Sequence, residues 1–158
     1  MKMSKIILAE MLFILNLFTS CEVHTQFDEL VYHEISSIDK RQSIEDTLLI
    51  DLKSITKFKW DKMYVFDEMT LGSEIQEELG FAYASNHVPD GYKRIIFTEN
   101  ESVVKCYQYF SLDATIQFRL PKGKTFFTHK ESSFFAFKRS KSIIKGTFYD
   151  LYPAARNL

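Results

Sequence analysis

Apolar and polar positions alternate along most of the chain after Thr56, and this period of two is typical of β-strands. The pattern predicts strands at Phe58–Asp67, Tyr92–Thr98, Ser102–Phe110, Thr115–Leu120, Ser133–Lys138 and Ile143–Tyr149. Pro89-Asp90-Gly91 predicts a turn before the second strand, and Glu99–Glu101 predicts a hairpin connection after it. Strands that follow one another through short connections favour an antiparallel sheet.

Helical spacing characterises the segments before and between these strands. A stripe with a period close to four predicts a helix over Lys40–Thr56, through Ile44, Leu48, Leu52 and Ile55. Glu22–Ser37 is either a tether or a short first helix, and Ser73–Gly80 is a short helix with capping residues at both ends. The predicted fold class is therefore α+β, with one or two N-terminal helices and a short helix packed on an antiparallel sheet of about five to six strands.

The composition provides ample material for one core. Hydrophobic residues make up 46% of the 158 residues and aromatic residues 15%, so disorder is not expected beyond the N-terminal segment. Trp60 is predicted to be buried on the same side of its strand as Phe58 and Phe66. We also assign a group of five phenylalanines to the core, namely Phe126, Phe127, Phe134, Phe135 and Phe137.

The N-terminus has the order of an export signal. Lys2 and Lys5 precede an apolar run at Ile6–Phe18, which is too short to span a membrane comfortably and suits a signal core. With Phe18-Thr19-Ser20-Cys21 at its end, the segment resembles bacterial lipoproteins, in which a hydrophobic residue and two small residues precede a cysteine that is acylated after cleavage. The resemblance implies lipidation at Cys21 and a membrane-anchored protein of the bacterial cell envelope, on the periplasmic side.

This interpretation divides the chain into a signal peptide at 1–20, a lipid-anchor tether at 21–38 and a single α+β domain at 39–158. Two alternatives stay open, because Glu10 interrupts the apolar run and a carboxylate is costly inside a membrane. The chain is then a secreted form that is cut nearby, or a cytosolic protein with a buried amphipathic N-terminal helix.

A second resemblance concerns the predicted domain. Trp60-Asp61-Lys62 and the strand up to Phe66, the helix at Ser73–Gly80 and the strand-turn-strand at Arg94–Val104 are similar to a group of small bacterial proteins that share a Trp-Asp-Lys strand. Those proteins are often exported or lipid-anchored and have no assigned activity. The resemblance therefore implies a fold and no function.

The sequence contains none of the familiar catalytic or metal-binding motifs. The histidines are isolated, no glycine-rich phosphate loop or Gly-x-Ser-x-Gly elbow is present, and Cys106 is expected to be a small buried residue in a strand. We therefore predict a non-enzymatic protein-binding module, of the assembly, inhibitor or immunity type, without cofactor, metal, nucleic acid or small-molecule substrate. The alternatives are an envelope enzyme with a dispersed carboxylate and tyrosine site, or a cytosolic partner-binding domain.

Charge is distributed unevenly along the chain. Residues 22–51 hold eight acidic and two basic residues, a net charge of −6, whereas residues 119–145 hold eight basic residues and one acidic residue, a net charge of +7. The candidate interaction surface consists of Lys138, Arg139, Lys141 and Lys145, which would face anionic lipid or an acidic partner. The alternative is that these charges pair internally or are simply solvated.

Overall fold

The computed structural model describes residues 26–41, 47–112, 114–139 and 147–154. Three helices lie in these ranges: α1 at Gln26–Arg41, α2 at Leu52–Ile55 and α3 at Gly72–Leu79. The first four strands are β1 at Thr47–Asp51, β2 at Lys62–Phe66, β3 at Tyr92–Glu99 and β4 at Ser102–Phe110. The other four are β5 at Ile116–Phe118, β6 at Phe126–Thr128, β7 at Ser133–Arg139 and β8 at Phe148–Pro153, with a 3₁₀ turn at His129–Glu131 before β7.

The eight strands form two sheets of four. Sheet A has the order β4-β3-β2-β6 and sheet B the order β1-β7-β8-β5. All pairings are antiparallel except that of β5 with β8, which is parallel. The predicted α+β class is confirmed, but the single sheet of five to six strands is wrong. Alternation marks which side chains of a strand share a face, and it does not say which strands share a sheet.

The main core lies between the two sheets. Phe97 and Tyr107 from sheet A meet Phe134 and Leu151 from sheet B in one continuous cluster. Helix α1 adds a stripe of fully buried residues to it, namely Phe27, Val31 and Ile35. The folded unit therefore includes a helix that crosses the expected boundary between residues 38 and 39, in a segment that the sequence left as a tether or a short helix.

Strand β1 lies within the helix expected at Lys40–Thr56, of which residues 42–46 lie outside the described residues. It pairs with β7 from Thr47 to Asp51, which turns Leu48 and Ile50 inward, and the single helical turn of α2 follows it. Leu48, Leu52 and Ile55 are all buried, as their spacing indicated. The stripe was compatible with a helix or with a strand followed by one turn, and pairing with β7 decided between them.

A second, smaller apolar cluster covers the outer face of sheet A. Tyr64, Phe66 and Ile96 point away from the main core and pack against Ile75 of α3 and Val88. Val88 belongs to residues 81–90, which we call the covering segment. Helix α3 is confirmed, and Gly80 ends it in the left-handed conformation with a φ of 77°, as a glycine cap does. Sheet A is therefore buried on both faces.

Trp60 is buried, as predicted, although it precedes β2. Its indole Nε1 donates a hydrogen bond to Thr56 Oγ1 at 2.8 Å, and its ring packs edge-on against Phe97. Phe66 lies on the opposite face of sheet A, so the expectation that Trp60 and Phe66 share one side is wrong. The chain is irregular between Trp60 and Lys62, which breaks the alternation on which that expectation depended.

Most of the remaining strands lie where the sequence placed them. The β3–β4 hairpin is confirmed, and β5 is the central part of the predicted Thr115–Leu120 strand. Strand β8 begins at Phe148, and residues 140–146 of the connection before it lie outside the described residues. Within the described ranges, no helix is long and apolar enough to cross a membrane.

Candidate functional site

Four large apolar side chains are exposed on the outer face of sheet B. The exposed fractions are 62% for Leu49, 40% for Phe135, 41% for Phe137 and 43% for Tyr152. We call these four residues the open face. Exposed apolar residues scattered singly are normal on a soluble protein, whereas a contiguous group marks an interaction surface.

Strand register makes the open face contiguous. Leu49 on β1 is paired with Phe135 on β7, which is paired in turn with Tyr152 on β8. The rings of Phe137 and Tyr152 meet edge-to-face, with centroids 5.3 Å apart. Taking roughly 200 Å² for each complete side chain, the exposed apolar area is on the order of 400 Å², which is within the range of the largest apolar patch on a typical monomeric protein.

Strand β7 explains why two of the five phenylalanines assigned to the core are outside it. Phe134 and Ala136 point into the main core and are fully buried, so Phe135 and Phe137 point outward by the alternation of the strand. The core assignment is wrong for Phe135 and Phe137, and it is confirmed for Phe127 and Phe134. A strict reading of period two would have placed Phe135 and Phe137 on the outer face. For Leu49 and Tyr152 the sequence offered no comparable signal.

An ion cluster borders the open face. Asp150 Oδ1 lies 3.3 Å from Arg119 Nε and 3.3 Å from Arg139 Nε. Two guanidinium groups therefore surround one carboxylate, which leaves one net positive charge. Arg139 Nη2 and Asp150 Oδ1 are buried without a well-aligned hydrogen bond, so the attraction between these side chains is chiefly electrostatic.

The four basic residues predicted as an interaction surface have different environments. Lys138 is exposed at the end of β7. The side chain of Arg139 is only 23% exposed and forms an ion pair with Asp150. Its charge is therefore paired internally, which was the alternative to an interaction surface. Lys141 and Lys145 lie outside the described residues. Arg139 pairs with a neighbouring strand of its own sheet, and it borders the aromatic residues of the open face.

The outer face of sheet A contains a buried arginine. Arg94 on β3 is 5% exposed, and its five N–H donors all have acceptors. Three of these bonds go to the covering segment, at Ser85 Oγ, Asn86 O and His87 O, and the other two go to Gln108 Oε1 on β4. No donor is left for an anion, so Arg94 serves to hold the covering segment against the sheet.

Burial shifts the acid–base equilibria on this side of the molecule. It lowers the pKa of Arg94, an effect that the nearby Tyr83 opposes. It also raises the pKa of Tyr83 above its usual value, and the charge of Arg94 partly offsets this. Both shifts have the same origin, since the charged form of each group loses hydration inside the covered face.

A cleft of about 500 Å³ separates α3 from the loop at 120–125. Its charged lining residues are Asp67, Glu74, Glu77, Glu78, Lys122 and Lys124. The four carboxylates are all exposed to solvent, and Asp67 pairs with Lys93 at 2.6 Å. Glu74 accepts a hydrogen bond from the backbone N–H of Leu71, and Glu78 accepts one from Thr125 Oγ1.

Cys106 lies on β4, and its side chain is buried in the apolar cluster on the outer face of sheet A. The sequence indicated a small buried residue in a strand. The only other cysteine in the sequence is Cys21, which lies outside the described residues. An acylated cysteine holds its sulfur in a thioether and cannot also form a disulfide. Acylation of Cys21 and an intrachain disulfide with Cys106 are therefore mutually exclusive.

Within the described part of the chain, no cluster of three or more His, Cys, Asp or Glu side chains is arranged to hold a metal ion. Comparison with protein-family models found no match to this chain. Comparisons with curated proteins and with solved structures likewise found none.

Proposed function

We propose that the protein is an exported, non-enzymatic protein-binding module of the bacterial cell envelope, anchored to the membrane through a lipid on Cys21. The open face is its contact surface. One observation carries the proposal: Leu49, Phe135, Phe137 and Tyr152 form one exposed apolar group on a sheet whose other face is fully packed. Apolar side chains in such numbers are stabilised when a partner removes them from water.

The pattern of charges supports a binding role over a catalytic one. The carboxylates of the cleft at α3 are solvated, and the buried Arg94 is saturated by protein acceptors. The open face joins an apolar centre to a charged border at Arg119 and Arg139, which is the usual anatomy of a protein interface. Assembly, inhibitor and immunity proteins all act through surfaces of this kind.

Paired variants on opposite sides of the molecule test the contact surface. Phe137→Asp places a carboxylate in the open face, whereas Leu71→Asp places one at an exposed apolar position near α3. Both full chains carry an affinity tag and are compared by quantitative mass spectrometry of proteins captured from envelope extract. Selective loss of a partner from Phe137→Asp is expected, and equal partner sets from both variants contradict the proposed contact surface.

A secreted form with a disulfide between Cys21 and Cys106 is the second candidate, because these are the two cysteines of the sequence. Disulfides persist in oxidising compartments, so this form also requires export. Intact-mass analysis with membrane fractionation separates the two. A lipid anchor adds the mass of acyl chains and keeps the protein with membranes, and Cys21→Ser abolishes both effects. A disulfide instead adds two hydrogen masses on reduction and leaves the protein soluble.

A further inference from the structure

We propose that the partner at the open face is a second copy of this chain. The inference rests on the proposed function, because it names the protein that the contact surface binds. It follows from the order of side chains along the outer face of sheet B, which is complementary to itself. An isologous dimer requires such self-complementarity, since the same surface is used by both copies.

The outward positions of β7 show this order. They are Ser133, Phe135, Phe137 and Arg139, and Ser133 lies beside Asp51 of β1. Asp51 is exposed on the same face as Leu49. One end of the face therefore carries the carboxylate of Asp51, and the other end carries the cluster of Arg119, Asp150 and Arg139 with its one net positive charge. Two phenylalanines lie between the two ends.

A twofold axis across the strands, midway between Phe135 and Phe137, exchanges these positions. Phe135 of one copy then faces Phe137 of the other, and the end with Asp51 faces the end with Arg139. A twofold axis parallel to the strands would instead bring the two basic ends together, with Arg139 of both copies in proximity. Repulsion between like charges disfavours that arrangement, so charge selects the first orientation.

The size of the open face determines how strong the dimer is. Standard interfaces bury about 800 Å² on each partner, and the four apolar side chains provide roughly half of that area. Border residues such as Arg119 and Arg139 add a polar rim. The dimer is therefore weak and concentration dependent, with affinity that decreases when salt screens the charged ends.

Photo-cross-linking in bacterial cells tests the inference with the full chain. A photoreactive benzoylphenylalanine replaces Phe137, whose 41% exposure allows the change without repacking of the core. Irradiation is expected to give a product of twice the mass of the chain, and peptide mapping is expected to join position 137 to the β7 peptide that contains Phe135. The same residue at Leu71, which is 54% exposed near α3, is the matched control and gives no such product.

The remaining outcomes separate the inference from the proposed function. A cross-link from position 137 to a different protein overturns the second copy as partner and upholds protein binding at the open face. A cross-link to lipid alone, or none at all, overturns both. Equal dimer products from positions 137 and 71 show non-specific collision and also overturn the inference.

Phe137→Asp, tested for folding by its melting temperature, should reduce the dimer fraction in sedimentation at least several-fold.

Discussion

The outer faces of the two sheets present the same kind of residue to opposite surroundings. Phe66 on β2 and Phe137 on β7 both point away from the main core, yet Phe66 is 4% exposed and Phe137 is 41% exposed. The difference comes from the long connection between β2 and β3, which returns over sheet A as α3 and the covering segment. None of the described segments covers Phe137 in this way. An outward apolar residue is therefore part of a core or of a contact surface according to what the rest of the chain places on it.

The largest expected effect is on stability, from truncating one phenylalanine on each outer face. Phe66→Ala should lower the free energy of unfolding by about 3 to 5 kcal/mol, because it leaves a cavity beneath α3. Phe137→Ala should lower it by less than about 1 kcal/mol, as is usual for a partly exposed site. Denaturant unfolding followed by circular dichroism measures both values.

Equal losses of unfolding free energy from Phe66→Ala and Phe137→Ala would contradict the difference between a covered outer face on sheet A and an exposed one on sheet B. They would mean that the open face is packed in the isolated protein. A loss at Phe137 that grows with protein concentration would instead indicate that association stabilises the fold, as the proposed dimer requires.

The next effect concerns the hydrogen bonds that hold the covering segment. Arg94→Ala should lower the free energy of unfolding by about 2 to 4 kcal/mol, because it leaves the buried acceptor Gln108 Oε1 without a donor and removes the bonds to the covering segment. The double variant Arg94→Met with Gln108→Leu should recover part of this loss, since it removes the side-chain acceptor as well. No recovery in the double variant would show that packing of the arginine stem, and not its hydrogen bonding, holds the segment.

A smaller effect tests how closely the covering segment approaches α3. A Cβ atom on Gly72 would lie 2.0 Å from the carbonyl oxygen of Ser85, so the backbone must move. Gly72→Ala should therefore cost roughly 1 to 3 kcal/mol through overpacking. Gly80→Ala is the matched control, because no atom lies within 4 Å of its Cβ and only the left-handed backbone, at about 1 kcal/mol, opposes the change. Hydrogen exchange at residues 81–90 should rise in Gly72→Ala and stay unchanged in Gly80→Ala.

The smallest effect is a pH dependence confined to the covered side. The pKa of Tyr83 is higher in the folded protein than in the unfolded chain, mainly because of burial. The stabilisation is complete below the unfolded value of about 10 and decreases as the pH rises through the folded value. Melting temperature should therefore fall at alkaline pH, and Tyr83→Phe should reduce this fall.

A helix or strand was predictable where the spacing of apolar residues and the turn residues fitted only one kind of secondary structure. The hairpin of β3 and β4 followed from two alternating runs and a short turn, and α3 followed from its apolar spacing and Gly80. Strand β1 was missed because Leu48, Leu52 and Ile55 also fit a helix, and only pairing with β7 distinguishes the two. Strand β6 was missed because three residues are too few to show a period.

The candidate site was less predictable than the fold. The sequence directed attention to charge at Lys138 and Arg139, yet Arg139 is largely used within sheet B. The apolar residues beside it come from three strands, and Leu49 and Tyr152 are about 100 residues apart in the chain. Their position on one face, on either side of Phe135, depends on the register between β1, β7 and β8, which no local pattern specifies.

By itself, the sequence determined that apolar residues suffice for a core, and it determined the positions of α3 and the β3–β4 hairpin. These depend on neighbours within a few residues, so short-range periodicity and turn chemistry are sufficient. Only the tertiary structure decided that the strands form two sheets, that Arg94 is saturated beneath the covering segment and that Phe135 and Phe137 are exposed beside Leu49 and Tyr152. Each of these depends on segments distant in the chain, because burial is a property of what packs against a residue.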